Sequence, residues 1–468
     1  MNRVAVVGGG LAGLATAHAL LRLRPELDVV VLEAADAPGG KVRTSLQDGY
    51  TFDWGPNGFL ANVPETLALA RELGLEDRLR PAADAAAHRF VYRDGGLRPL
   101  PTSPGTFLRS ELLSLPGKLR ALSEPLLARP VRREETVHDF VARHFGHEAA
   151  RVFAGVFVAG ISAGDPRELS LDALFPRLRK LEATHGSLLR GMAAARRGER
   201  AAPVPAGAPV RTGAARDGRL TTFDGGVQTL IDALATELGP RLRAGARAVA
   251  LRDALGRPGG CAIVELADGE MLDVDAVVLA TPAHAAAPLL APDVPDAAAA
   301  LAAIRYVDVA VVALGYDRID VARPLDGFGF LAPRGEGVRS LGVLWSSSTF
   351  PDQAPPGKVA LRAIAGGALD PGFVALSDED ALAAVRRDLE RTMGIVAEPE
   401  SVKIVRWPRG IPQFGLGHRE RVATARAALA QRRPNVVLAG NYLDGVGLND
   451  VVRAARAAAE RIAGVPRV

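Results

Sequence analysis

The 468-residue sequence predicts an α/β and α+β protein made of a discontinuous Rossmann-like domain, a mixed-sheet second domain and a helical insertion. Three observations predict it. The N-terminus reads as strand, tight glycine turn, helix and second strand. Residues 64–200 then carry apolar side chains at spacings of three and four, the helical period. Finally, "NVVLAGNYLDGVGLNDVVRAARAAAERIAG" near the C-terminus repeats the strand, glycine turn and helix pattern, as if the chain came back to the domain it started in.

Length and composition set the frame. A chain this long exceeds one ordinary core, so two or three domains are expected, and 48% hydrophobic residues mark it as globular. A formal charge of +4 is slight for this length and argues against a dedicated nucleic-acid binder. Cys261 is the only cysteine, which excludes an internal disulfide and any multi-cysteine metal site and fits a reducing, cytoplasmic setting. The opening "MNRVAVVGGG" has no signal-peptide pattern, and no apolar run reaches the ~18 residues needed to span a bilayer.

The first element is the most specific. In "VAVVGGGLAGLATAHALLRLRPELDVVVLEAADAPGGKVRT", Gly8-x-Gly10-x-x-Gly13 lies between a strand and a helix starting at Leu11 and Ala12. This is the context a dinucleotide fingerprint requires. Gly8 permits the turn, Gly9 and Gly10 let the backbone approach a pyrophosphate at the helix N-terminus, and Gly13 brings helix and strand together. Glu33, next to Ala34, follows Gly13 by about 20 residues, the offset for a carboxylate that holds a ribose diol, and it disfavours a 2′-phosphate. Gly39-Gly40, followed by Lys41, Arg43 and Thr44, then resembles the second fingerprint of the FAD-dependent amine oxidase and protoporphyrinogen oxidase superfamily, so the resemblance implies FAD.

Further along, residues 45–60 alternate like a hairpin and end in the turn "GPNG", Gly55-Pro56-Asn57-Gly58. Helical patterns follow, with Thr136 as a cap and Gly146 as a stop. Residues 201–218 are proline- and glycine-rich without periodicity, the composition of a surface loop. "LRAGARAVAL", "CAIVEL" and "EMLDVDAVVLATP" read as strands, the last two with the continuous apolar runs of a buried sheet. "VDVAVVALGY", "GFGFLAP", "SLGVLWSS" and "KVALRAIAG" read as the strands of the second domain, with a helix near "DEDALAAVRRDLERTMG".

The C-terminal stretch "AGNYLDGVGLNDVVRAA" raises a separate question, because Gly440, Gly445 and Gly447 precede a helix start with no nucleophile or metal pair nearby. FAD is longer than one βαβ unit covers. Gly445 and Gly447 are therefore expected to let the backbone approach the flavin pyrimidine, with a helix from about Asn449 directing its N-terminal dipole at it. Gly440, Val446 and Leu448 belong to the same expected contact.

Together "VAVVGGGLAGLATA", "APGGKVRT", "DWGPNGF", "FVAGISAGDPRELSLDALFPRL", "TTFDGGVQTLIDAL", "GFGFLAP", "RWPRGIPQFGLGH" and "LAGNYLDGVGLNDVV" resemble the bacterial and mitochondrial protoporphyrinogen oxidases in the family's order from end to end. The resemblance implies a two-dinucleotide-binding type FAD domain over 1–60, 220–290 and 400–468, a substrate domain over 61–85 and 291–399, a helical insertion over 86–200 and a flexible loop over 201–219. It implies non-covalent FAD and oxidation of protoporphyrinogen IX to protoporphyrin IX by O2, giving H2O2. Oxidation of coproporphyrinogen III to coproporphyrin III stays open as the alternative, as does an FAD-binding protein without turnover. Carried over by position, Arg89 resembles the arginine that holds a propionate, Asn57 and Gly160 face the substrate, and Leu331, Leu344 and Ile364 form apolar wall. Relatives often have an aromatic residue or methionine where Ile364 stands. Gly55, Pro56, Asn57, Gly58, Ala248 and Trp407 resemble flavin contacts. Among these positions Arg89 is the single cation near the substrate, which favours the two-propionate substrate.

Competing patterns are weaker. Gly160-Ile161-Ser162-Ala163-Gly164 matches a nucleophile elbow but lacks the strand-then-helix context. His138, His144, His147 and Glu148 have no metal-ligand spacing and read as solvated or core-edge residues. No C-terminal cysteine offers the covalent flavin link of an amine oxidase, and no strongly apolar entrance suggests a carotenoid desaturase. The basic stretch 177–200 reads as a solvated helix face. Leu115, Leu119, Leu122 and Leu126 form a helical stripe beside basic residues, fitting either core or a peripheral membrane contact. A homodimer is compatible with the sequence.

Overall fold

The computed structural model describes residues 2–201, 219–253 and 262–465. The expected loop at 201–219 falls, apart from its two end residues, outside the described residues, as does Cys261.

The strand Arg3–Val7 lies in the middle of a five-stranded parallel sheet in the order Leu242–Arg243, Asp28–Leu32, Arg3–Val7, Ala276–Leu279, Val436–Leu438. A parallel sheet buried on both faces needs apolar residues at every position, and both faces are covered. Val4, Val6, Val29 and Val31 pack with the helices Leu11–Leu23 and Leu448–Ala463 on one side, while Ala5, Val7, Val30 and Leu32 pack on the other. Segments from the start, middle and end of the chain are therefore joined in one sheet.

"CAIVEL" and "EMLDVDAVVL" correct the continuous-run expectation. Ala276–Leu279 is buried throughout and belongs to the parallel sheet, but Ala262–Leu266 and Met271–Val274 alternate in burial. They join Ala248–Asp253 in a separate three-stranded antiparallel sheet, which needs only one covered face.

A seven-stranded mixed sheet runs in the order Ser401–Pro412, Tyr306–Asp317, Lys358–Gly366, Ser340–Trp345, Gly329–Leu331, Phe90–Arg93, Gly96–Pro99. Successive side chains leave its opposite faces. Leu361, Ala363 and Ala365 pack with Val385 and Leu389 of the helix Asp378–Met393, which turns Arg362 and Ile364 to the other face. The last two strands correct the reading of 64–200 as helical throughout. Residues 90–99 form a hairpin whose first strand pairs with Gly329–Leu331, because Val91 and Tyr92 gain full burial there. Leu79–Pro81 is likewise a strand, paired with Leu220–Phe223.

The helices that follow include Leu115–Leu122, Val137–Phe145 and Gly155–Ser162, the last entered through a π-helical turn at Ala150–Ala154. A Thr136 side chain caps Val137–Phe145 and Gly146 ends it at φ 93°. The leucine stripe is not core: Leu115 and Leu126 are 74% and 84% exposed, and Leu119 and Leu122 are also exposed. His144 departs from a core-edge position. It is fully buried, with Nδ1 2.7 Å from a Glu124 carboxylate oxygen and Nε2 3.1 Å from one of Glu182.

Candidate active site

The glycine turn after Arg3–Val7 shows why each glycine is required. Gly8 sits at φ 112°, a conformation side chains disfavour. A Cβ on Gly13 would lie 1.8 Å from the Gly8 carbonyl oxygen, so the helix reaches the turn only without one. A Cβ on Gly9 would collide with Glu33, whereas Gly10 faces open space. The second fingerprint closes on the first through a hydrogen bond from Gly39 N–H to Gly9 O at 2.8 Å. Gly55 fits because a side chain there would meet Lys41 O at 2.3 Å, which seats the "GPNG" turn on the same cradle.

This cradle opens into a cavity of about 860 Å³, toward the upper end of small-molecule sites (~300–1,000 Å³). It runs without a break from the glycine turn to the outer face of the seven-stranded sheet. Gly8, Gly10, Leu11, Ala12, Glu33, Ala34, Gly39, Gly40, Lys41, Gly55, Pro56, Asn57, Ala248, Trp407, Gly440, Val446 and Leu448 line it, and so do Arg89, Gly160, Leu331, Leu344 and Ile364. Residues more than 300 positions apart thus share one wall. Gly9, Gly13, Gly58 and Gly447 are not in the lining. Gly58 instead packs against the Thr221 carbonyl.

The residues fit a dinucleotide. Gly10 leaves room at the N-terminus of Leu11–Leu23, where no acidic side chain in the first turn would oppose phosphate. Glu33 accepts hydrogen bonds from Gly9 N–H at 2.7 Å and Ala35 N–H at 2.8 Å, which fixes its carboxylate beside the turn. Burial pushes the Lys41 ammonium below the usual lysine range. At the far end, Trp407 donates from Nε1 to Trp54 O at 2.7 Å, tying the last long strand to the "GPNG" turn.

The C-terminal glycines have a local partner that the expectation did not include. A Cβ on Gly445 would lie 2.4 Å from a carboxylate oxygen of Asp450, and Gly447 donates its N–H to the same oxygen at 3.3 Å. Their smallness makes room for the cap of helix Leu448–Ala463. Asn449 is also inward, accepting from Thr66 N–H and donating to Leu60 O. The residues of this stretch that line the cavity are Gly440, Asn441, Val446, Leu448 and Val451.

The family model for flavin-containing amine oxidoreductases matches residues 11–463. The chain belongs to this family. It is an FAD-dependent oxidoreductase with the two-dinucleotide-binding architecture expected from the fingerprints. Among its relatives is the chloroplastic protoporphyrinogen oxidase of Oryza sativa subsp. japonica, 35% identical over 98% of this chain and 87% of that one. The coproporphyrinogen III oxidase of Bacillus subtilis is 32% identical over 98% and 97%. A crystal structure from Exiguobacterium sp. 255-15 superposes with a TM-score of 0.84 at 26% identity, covering 99% of both chains.

Two arginines of the lining were not singled out from the sequence, Arg247 and Arg362. Arg362 had a visible signal, an arginine within the otherwise apolar strand "VALRAIAG". The elbow-like motif carries no chemistry: Ser162 ends a helix, is buried and donates to Val158 O. Among the described residues no group of three or more His, Cys, Asp or Glu is arranged for a metal.

Glu33→Ala is expected to lower FAD retention, because charge-assisted hydrogen bonds contribute about 1.5–3 kcal/mol. Flavin absorbance per mole of protein after gel filtration measures it, and an unchanged ratio would remove Glu33 from the ribose role.

Proposed function

We propose that this enzyme oxidises protoporphyrinogen IX to protoporphyrin IX, six hydrogens leaving in three two-electron rounds, with three O2 becoming three H2O2. The observation that carries the reading is the single cavity joining the dinucleotide cradle to an apolar floor of Leu331, Leu344 and Ile364. Bound FAD supplies the hydride acceptor. The protein's own residues then bind and orient. Arg89 takes a propionate, and the apolar floor and Gly160 hold the rings and exclude water. Such a reaction needs little acid-base machinery, which suits a cavity without a nucleophile–base pair. The relatives named as porphyrinogen oxidases support the substrate class.

A second reading, coproporphyrinogen III to coproporphyrin III, is favoured by the buried Arg362, since a further cation suits a substrate with further carboxylates. The test is kcat/KM for both porphyrinogens under oxygen, followed by porphyrin fluorescence. A tenfold preference for coproporphyrinogen, about 1.4 kcal/mol, decides for the second reading. Flavin-loaded protein that consumes no oxygen with either would reduce the chain to a flavin carrier. Arg89→Ala is expected to raise KM roughly tenfold to 150-fold with the flavin spectrum intact, from the ~1.5–3 kcal/mol of a charge-assisted contact.

No helix among the described residues is long and apolar enough to cross a membrane. The exposed leucines beside exposed Arg109, Arg129, Arg132 and Arg133 support a peripheral contact with anionic lipid. Flotation with phosphatidylglycerol vesicles should recover the wild type and lose Leu115→Ser/Leu126→Ser. Equal flotation of both would end this reading.

A further inference from the structure

We infer that Arg362 is a second carboxylate-holding residue of the cavity, at the side opposite Arg89, and so a determinant of which porphyrinogen is taken. This rests on the porphyrinogen reading above. The sheet register supplies the geometry. Phe90 pairs with Phe330, so Arg89, one residue earlier, stands in line with Gly329. Gly329 pairs with Leu344, and Leu344 pairs with Arg362. The two arginines therefore stand on one rung of the sheet, three strand spacings apart, roughly 14 Å at about 4.8 Å each. Strand alternation puts both on the cavity face, since Phe90 and Tyr92, like Leu361 and Ala363, pack on the other. Between them the rung offers Leu344, and the next rung on the same face, two residues along, offers Leu331 and Ile364. The floor is thus apolar in the middle with a cation at each side.

Arg362 is also incompletely satisfied. It is 4% exposed. One of its terminal nitrogens donates to the main-chain oxygens of Asp53 and Gly55, at 3.2 and 3.0 Å, and its Nε is buried without a partner. The Asp53 carboxylate, its neighbouring opposite charge, is already engaged by Thr44, Gln353 and the Val227 N–H. Carbonyls, and a carboxylate shared with three other donors, leave the guanidinium's charge only partly offset, and a buried cation beside an apolar floor favours an anionic ligand. Protoporphyrinogen has propionates on one edge and vinyl groups opposite, whereas coproporphyrinogen has carboxylates on both.

The experiment compares wild-type, Arg362→Gln and Arg362→Lys holoenzymes with both porphyrinogens, alongside flavin absorbance. The expected result is a fall of tenfold or more in kcat/KM for coproporphyrinogen III in Arg362→Gln, less than threefold for protoporphyrinogen IX, an unchanged flavin spectrum and partial recovery in Arg362→Lys. Equal falls for both substrates would leave Arg362 only a support for the Gly55 turn and overturn the proposal, as would no change or a wild type inactive on coproporphyrinogen. Should Arg362→Gln not fold, Arg362→Lys and wild-type binding decide: coproporphyrin III quenching that is no tighter than that of its tetramethyl ester overturns the proposal. A wild type that oxidises neither porphyrinogen fails at the earlier step, the function itself.

Discussion

Gly13→Val is expected to give protein without flavin. The added Cβ would sit 1.8 Å from the Gly8 carbonyl oxygen and 3.2 Å from Val6, so either the helix Leu11–Leu23 withdraws or the turn unfolds. Neither partner is the end of a flexible side chain that could step aside. Overpacking of this kind costs about 1–3 kcal/mol or more, and the strain falls on the N–H groups that would face the pyrophosphate. The expected readout is loss of the flavin absorbance together with a lower Tm. Full flavin content in a folded Gly13→Val protein would mean that the turn does not bind the cofactor. Gly10→Ala provides the contrast. A Cβ there meets no atom within 4 Å, so Tm should hold while flavin affinity falls.

Asp53→Ala is expected to cost about 3–5 kcal/mol of stability, the usual result of leaving a buried charge without its partner. Its carboxylate accepts from Thr44 Oγ1 at 2.7 Å, Gln353 Nε2 at 2.9 Å and Val227 N–H at 3.4 Å. Removing it strands three donors and leaves the Arg362 guanidinium in a low-dielectric region with carbonyls alone. Burial raises the Asp53 carboxyl above the usual aspartate range, with Arg362 opposing that shift, and burial lowers the Arg362 guanidinium, with Asp53 opposing. The two charges are therefore interdependent, and Asp53→Ala/Arg362→Met should be less destabilised than the sum of its single variants. Urea denaturation of all four proteins measures this. Strict additivity would show that the two charges do not support one another.

Local order accounts for what could be read without the structure. The N-terminal fingerprint was legible because its strand, turn, helix and acidic residue are adjacent in sequence, and two of its glycines answer a clash within about 30 positions, Gly13 with Gly8 and Gly9 with Glu33. The strands "VDVAVVALGY" and "KVALRAIAG" were legible from composition, and their pairing is antiparallel over nine positions. Residues 90–99 misled, because "FVYRDGGLRP" is a short hairpin whose stability comes from Phe330, some 240 positions away, and a local pattern contains no record of that partner. Gly445 and Gly447 show a related limit: small residues before a helix fit a ligand or a cap equally well, and only the structure shows the Asp450 carboxylate beside them.

The sequence by itself determined the dinucleotide turn, the apolar strands and the family, since these depend on contacts between near neighbours and on motif order. That Arg362 joins Arg89 in the cavity lining was decided by tertiary structure alone. Arg89 and Arg362 are 273 positions apart and come onto one rung only when four strands come into register. A one-residue slip in the strand Lys358–Gly366 would turn Arg362 into the packed core and Leu361 or Ala363 to the cavity, because successive side chains leave opposite faces of a sheet.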